Sequence, residues 1–185
     1  GPLLAGETVL VQGSGGVSVF ALQFAKAAGA TVIATTSSPA KMARYRELGA
    51  DHVIDHKADP EWGRTARKLT GGHGVDHVVE VGGASNVEQS IVACAMGGHI
   101  AVLGVLAGHK APLSTVRVMS GDLRLQGLRV GSRQHQLEMV RAIEVNGIRP
   151  VVDRSFGLEA LREAFDCQLS GAHFGKIVLR CAAEV

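Results

Sequence analysis

The stretch Gly13-Ser14-Gly15-Gly16-Val17-Ser18 decides the fold of this chain, because of what lies on either side of it. Before it, Thr8–Gln12 is a short apolar run that is typical of a buried strand. After it, residues 17–28 have apolar side chains at helical spacing, which predicts an amphipathic helix. The predicted buried stripe of this helix is Val17, Phe20, Ala21, Phe24, Ala25 and Ala28.

A strand, a glycine turn and a helix in this order favour the binding of a dinucleotide. Gly13 allows a tight turn out of the strand, and Gly15 lets the backbone approach a pyrophosphate without a side chain in between. Ser18 takes the third glycine position of the pattern and is small enough for close packing of the helix on the strand. The N–H groups at the helix start face the phosphates, and the helix dipole adds a favourable potential. The predicted phosphate-binding residues are Gly13, Ser14, Gly15, Gly16 and Val17.

Strands and helices alternate along the rest of the chain, which predicts an α/β fold. Right-handed crossovers then give a doubly wound, parallel, six-stranded Rossmann sheet with the strand order 3-2-1-4-5-6. We expect this dinucleotide-binding domain to cover residues 1–155, with its last strand at residues 123–130. A helix at residues 158–169 and a strand at Lys176–Arg180 belong to a separate C-terminal segment, residues 156–185. The other predicted strands lie at residues 31–35, 52–55, 77–81 and 99–103.

Ligands of such sheets bind at the carboxyl ends of the strands, where the strand order reverses. Three of the four strand ends at this edge carry glycines, which let the backbone approach a flat cofactor closely. The candidate cofactor-binding residues at the later strand ends are Thr36, Ser37, Gly82, Leu103, Gly104 and Val105.

The end of the second strand predicts which dinucleotide binds. NAD-binding domains usually have an acidic residue about 20 positions after the first glycine, but no Asp or Glu occurs here between Glu7 and Glu47. Hydroxyl groups accept a 2′-phosphate that an acid would repel, and Lys41 and Arg44 can supply the counter-charge. The sequence therefore favours NADP(H) over NAD(H).

Composition argues against several other functions. Aromatic residues make up 4% of the 185 residues and the net charge is only +2, so a nucleic-acid or membrane surface is not expected. The three cysteines are scattered, and no Cys or His spacing is that of a zinc site, so we expect no metal in this chain. We also expect a reducing, cytoplasmic location, since no signal peptide or membrane span is recognisable.

The chain resembles the cofactor-binding half of the medium-chain dehydrogenase/reductase superfamily, which includes zinc-type alcohol dehydrogenases and quinone oxidoreductases. The resemblance rests on GETVLVQGSGGV at residues 6–17, LGADHVID at 48–55, GGHIAVLG at 97–104 and HFGKIV at 173–178. The segment GLRVGSR at 127–133 places it nearest the zinc-type alcohol dehydrogenase-like branch.

This resemblance implies roles for individual residues. It implies that residues 13–17 hold the pyrophosphate, that Ser37 and Lys41 take the 2′-phosphate, and that Leu103, Gly104 and Val105 lie along the nicotinamide. It also puts Arg133 near the cofactor phosphates. The superfamily's catalytic half, a GroES-like barrel that carries the zinc ligands and the proton relay, precedes the cofactor domain and is not found in this sequence.

The resemblance predicts that the chain orients NADP(H) for hydride transfer to or from a carbonyl or alcohol, as part of a longer oxidoreductase. Alone it is expected to be inactive. It also implies a homodimer through the edge strand at residues 123–130, with Val116, Val118, Leu128 and Val130 in the interface. The alternatives are a non-catalytic NAD(P)-sensing module, the cofactor domain of a zinc-free quinone or enone reductase, and a methyltransferase, whose expected strand-end acid is missing.

Overall fold

The computed structural model describes residues 2–181. Within them, a main sheet has six parallel strands in the order β3-β2-β1-β4-β5-β6, which confirms the predicted fold class and strand order. A second, two-stranded parallel sheet pairs β7 with β8. The strands are β1 (Thr8–Gln12), β2 (Thr31–Thr36), β3 (His52–Asp55), β4 (Val75–Glu80), β5 (Cys94–Val102), β6 (Arg124–Gly127), β7 (Val152–Gly157) and β8 (Lys176–Arg180).

Helices cover both faces of the main sheet, because successive side chains of each strand point to opposite faces. On β1, Val9 and Val11 pack into one apolar cluster with α1 and α2, whereas Leu10 packs into the other with α3 and α4. None of the helices in residues 2–181 is long and apolar enough to cross a membrane. The helices are α1 (Gly16–Ala27), α2 (Pro39–Glu47), α3 (Trp62–Leu69), α4 (Ala84–Ala93), α5 (Thr115–Ser120), α6 (Arg133–Asn146) and α7 (Leu161–Leu169).

The buried face of α1 differs from the predicted stripe. Its buried residues are Ser18, Val19, Leu22 and Ala25, whereas Val17 is 52% exposed. The prediction counted only apolar side chains, and it therefore missed that small, polar Ser18 is the residue that lets α1 pack closely on the sheet. Of the predicted stripe, Ala25 is buried and the phenylalanines are half-buried.

The region around the sixth strand is shorter and more helical than predicted. Residues 115–120 form α5, where the sequence predicted an irregular connection. Strand β6 covers Arg124–Gly127 rather than residues 123–130, because its partner β5 ends at Val102, the residue that pairs with Gly127. Val118, a predicted interface residue, instead packs against the apolar cluster under α3 and α4.

The C-terminal segment lies against the glycine turn. The N–H of Gly175 donates to the carbonyl of Ser14 at 2.9 Å, and Gly15 and Gly175 form an isolated parallel bridge. Strand β8 was expected to be either disordered or paired opportunistically, and it pairs with β7. Because β7 begins at Val152, the second sheet begins before the predicted boundary at residue 155.

Candidate functional site

The turn between β1 and α1 leaves room for a ligand. Gly13 has a φ of +68°, a conformation that glycine adopts at little cost, and its N–H donates to Thr35 at 2.9 Å. Gly15 caps α1, and a Cβ added there would meet no atom within 4 Å. The first helical hydrogen bond joins the Val19 N–H to the Gly15 carbonyl. The N–H groups of the first turn thus have no acceptor within the helix and can bind an anion.

Two hydroxyl groups hold this turn from below. The buried Ser18 hydroxyl donates to the carbonyl of Gln12, the last residue of β1. The Tyr45 hydroxyl, which reaches over from α2, donates to the carbonyl of Gly13. Burial raises the pKa of Tyr45, so the phenol remains a donor well above neutral pH. Both contacts fix the backbone that would face a pyrophosphate.

The end of β2 carries the residues predicted to bind a 2′-phosphate. Thr36 is the last residue of β2 and is buried, whereas Ser37 after it is exposed. Lys41 lies in the first turn of α2, and its Nζ donates to the carbonyl of Gly171 at 2.5 Å. Partial burial lowers the pKa of Lys41; the Arg44 charge lowers it further and the Asp153 charge opposes both.

Arg44, the second predicted cation, is held by the C-terminal segment. Its guanidinium forms an ion pair with Asp153, whose side chain is 11% exposed, and lies 4.4 Å from the ring centroid of Phe174. Burial alone would raise the pKa of Asp153, but the hydrogen bond and charge of Arg44 outweigh it and hold the pKa below its usual value.

A buried carboxylate shapes the turn after β4. Glu80 is fully buried, and its Oε1 accepts the N–H groups of Gly82 and Gly83 at 2.8 and 2.9 Å. Its Oε2 accepts from the Gln12 amide at 2.8 Å and from the Ser90 hydroxyl. One side chain therefore links the end of β1 to the glycine turn after β4.

The turns after β4 and β5 pack tightly on each other. Gly83 has a φ of +87°, and a Cβ there would lie 2.6 Å from the Gly108 carbonyl oxygen. A Cβ at Gly104 would collide with the carbonyl of Val81. Leu103 and Val105 remain exposed beside this contact, so their side chains are free to cover a ligand.

Arg133 lies apart from the other predicted residues. It is the first residue of α6, after β6, and β6 is the third strand from β1 in the sheet. Its guanidinium donates to the side chain of Gln136 at 2.5 Å. Because the six strands are parallel, Arg133 follows a carboxyl strand end as the other candidates do.

Sequence reasoning missed the supporting residues Gln12, Tyr45, Glu80, Ser90 and Asp153. A signal for Glu80 exists, since it is an acid at the end of the apolar strand VDHVVE. Asp153 carries no such signal, because its pairing with Arg44 spans 109 residues of sequence.

The described residues do not fit a zinc site. Among residues 2–181, no group of three or more His, Cys, Asp or Glu side chains could hold a metal ion. Cys94 and Cys167 are buried and Cys181 is exposed, and none forms a disulfide. Burial raises the pKa of Cys94 to about 12, against the opposing charge of Arg67, which disfavours the thiolate that zinc requires.

Comparison with known proteins places this site among dehydrogenases. Residues 16–145 match the family model of the zinc-binding dehydrogenases. A zinc-type alcohol dehydrogenase-like protein of Schizosaccharomyces pombe is 44% identical over 95% of this chain and 52% of its own length. The chain spans about half the length of the curated relatives it matches.

Two solved structures combine this fold with nicotinamide cofactors. An NAD-dependent alcohol dehydrogenase is 37% identical, with a TM-score of 0.89 over 97% of this chain and 52% of its own. A mycobacterial protein solved in complex with NADPH is 28% identical, with a TM-score of 0.82 over 97% of this chain and 58% of its own.

Proposed function

The chain belongs to the zinc-binding dehydrogenase family of the medium-chain dehydrogenase/reductase superfamily, and we propose that it is the NADP(H)-binding domain of an alcohol dehydrogenase-like oxidoreductase. The open space above Gly15, at the start of α1, carries this proposal. Backbone N–H groups there face the carboxyl edge of the sheet, where α/β folds bind ligands. Gly13, Ser14, Gly15, Gly16 and Val17 hold the pyrophosphate in this account.

A preference for NADP(H) over NAD(H) is supported by the charges at the end of β2. No acid lies there to accept the ribose hydroxyls, and Thr36, Ser37 and Lys41 supply hydroxyl groups and a cation. A charge-assisted contact to phosphate contributes about 1.5–3 kcal/mol. The solved relatives include both an NAD-dependent enzyme and an NADPH complex, so this charge pattern is the argument for the 2′-phosphate.

The remaining candidates line the nicotinamide half and the outer phosphates. Gly82 presents backbone that no side chain covers, Leu103 and Val105 supply exposed apolar surface, and Gly104 allows the two turns to meet. Arg133 approaches the phosphates from the start of α6. These residues bind and orient the cofactor; a bound nicotinamide supplies the hydride chemistry toward a carbonyl or alcohol.

We propose that turnover needs the rest of a longer enzyme, a GroES-like catalytic domain that α7 and β8 adjoin. The share of its relatives that the chain covers, about half, supports this. The purified chain should bind NADPH but not oxidise it with simple aldehydes or quinones, with or without zinc. NADPH oxidation that is first order in this chain would contradict the proposal.

Calorimetric titration of the full chain with NADPH and NADH tests the cofactor proposal. We expect tighter binding of NADPH, and Lys41→Ala should weaken it about tenfold or more while changing NADH little. Lys68→Ala is the matched control, since Lys68 is an exposed lysine in the last turn of α3. Equal affinities for both cofactors in the unmodified chain would overturn the NADP(H) preference.

A further inference from the structure

We propose that Asp153 is a specificity-determining residue that limits the preference for a 2′-phosphate by neutralising Arg44. This inference rests on the proposed NADP(H) function and deepens it. Sequence reasoning treated Lys41 and Arg44 as two available cations, but Asp153 of β7 pairs with the guanidinium of Arg44.

The geometry of the pair makes it a strong local charge balance. The Asp153 carboxyl is 11% exposed and the Arg44 side chain 38% exposed, so water screens the pair only partly. The ring of Phe174 lies 4.4 Å below the guanidinium and restrains it on one face. Arg154 lies 3.5 Å from the other carboxylate oxygen but is itself mostly exposed.

The two cations of α2 therefore differ in what they offer an anion. Lys41 meets only a neutral partner, the Gly171 carbonyl at 2.5 Å, so its full charge acts on a nearby phosphate. Arg44 is compensated by Asp153, whose negative charge also faces any anion that reaches this side of α2. Native Asp153 thus tempers the selectivity that Lys41 and Arg44 would give together.

Titration of the full-length chain with NADPH and NADH, in single and double variants, measures this effect. Asp153→Asn keeps the side-chain shape and removes the charge, and it should tighten NADPH about fivefold while changing NADH less than about twofold. Arg44→Gln alone should weaken NADPH, because it leaves Asp153 uncompensated. The double variant Arg44→Gln/Asp153→Asn should bind NADPH within about twofold of the unmodified chain, because a self-neutralised pair is removed.

Glu47→Gln is the matched control, since it removes an exposed carboxylate from the last residue of the same helix. It should leave the ratio of the NADPH and NADH affinities unchanged. Equal shifts of both cofactors in Asp153→Asn would overturn the inference. A tenfold loss of NADPH affinity in the double variant would also do so, and remains measurable if the single Asp153 variant does not fold. If the unmodified chain binds neither cofactor, the proposed function itself fails.

Discussion

The side-chain amide of Gln12 donates a hydrogen bond of 2.8 Å to the carboxylate of Glu80, and both residues are buried. Each is the last residue of its strand, β1 and β4. The bond therefore connects the two turns that face the proposed cofactor. Buried polar groups that are fully paired in this way rigidify their surroundings, and they are costly to disrupt.

Glu80→Ala should destabilise the fold by roughly 3 kcal/mol, because it leaves the N–H groups of Gly82 and Gly83 and the Gln12 amide without their acceptor. Urea unfolding followed by circular dichroism measures the change. Glu163→Ala removes an exposed glutamate from α7 and serves as the control, with an expected change within about 0.5 kcal/mol. Similar stabilities of the two variants would show that the carboxylate does not hold the turns.

Tyr45 is the one tyrosine of the chain, so phenolate absorbance reports on it alone. Burial raises its pKa above the ordinary value of 10.0, and we expect the folded chain to resist ionisation at a pH where the urea-unfolded chain is already ionised. Since the folded pKa is raised, the stability linked to Tyr45 is present below pH 10.0 and is lost as the pH rises toward the folded pKa. Coincident titration curves for the folded and unfolded chain would contradict the buried position of Tyr45.

Asp51 should support the fold at neutral pH and lose its effect in acid. Burial alone would raise its pKa, but Lys26 at 2.8 Å and the Val32 N–H at 2.7 Å hold the pKa below the ordinary 3.8. A depressed folded pKa gives stability above pH 3.8 that is lost as the pH falls through the folded value. The difference in unfolding free energy between the unmodified chain and Asp51→Asn should therefore shrink below pH 3.8, and a difference that is constant with pH would oppose this account.

The β6 edge should pair two copies of the chain. Strand β6 is the last strand of the main sheet, and Val116, Leu128 and Val130 near it are exposed. Exposed edges with apolar neighbours favour strand addition, and a twofold pair would use the same patch on both copies. Light scattering at high micromolar concentration should give a dimer that Val130→Asp converts to a monomer. A monomeric unmodified chain would remove this prediction.

The sequence predicts the main sheet well because its signals are local. Apolar runs and glycines mark each strand and its end, so the strand order follows from the alternation and the handedness of crossovers. The buried face of α1 was predicted wrongly, because Ser18 is buried through a hydrogen bond to Gln12 and not through hydrophobicity. The wall beside Lys41 could not be predicted, since Asp153 and Gly171 reach it through tertiary packing of a distant segment.

Amide chemical-shift mapping of the isotope-labelled chain with NADPH tests most directly whether the dinucleotide lies on the carboxyl edge. We predict that the largest shifts occur at residues 13–18, with further shifts at residues 36–41, 82–83 and 103–105. Residues at the opposite edge, such as His73 and Asp76 before and within β4, should not shift. Saturable NADPH binding with shifts confined to that opposite edge, or no shift at Gly15 and Gly16, would contradict the account.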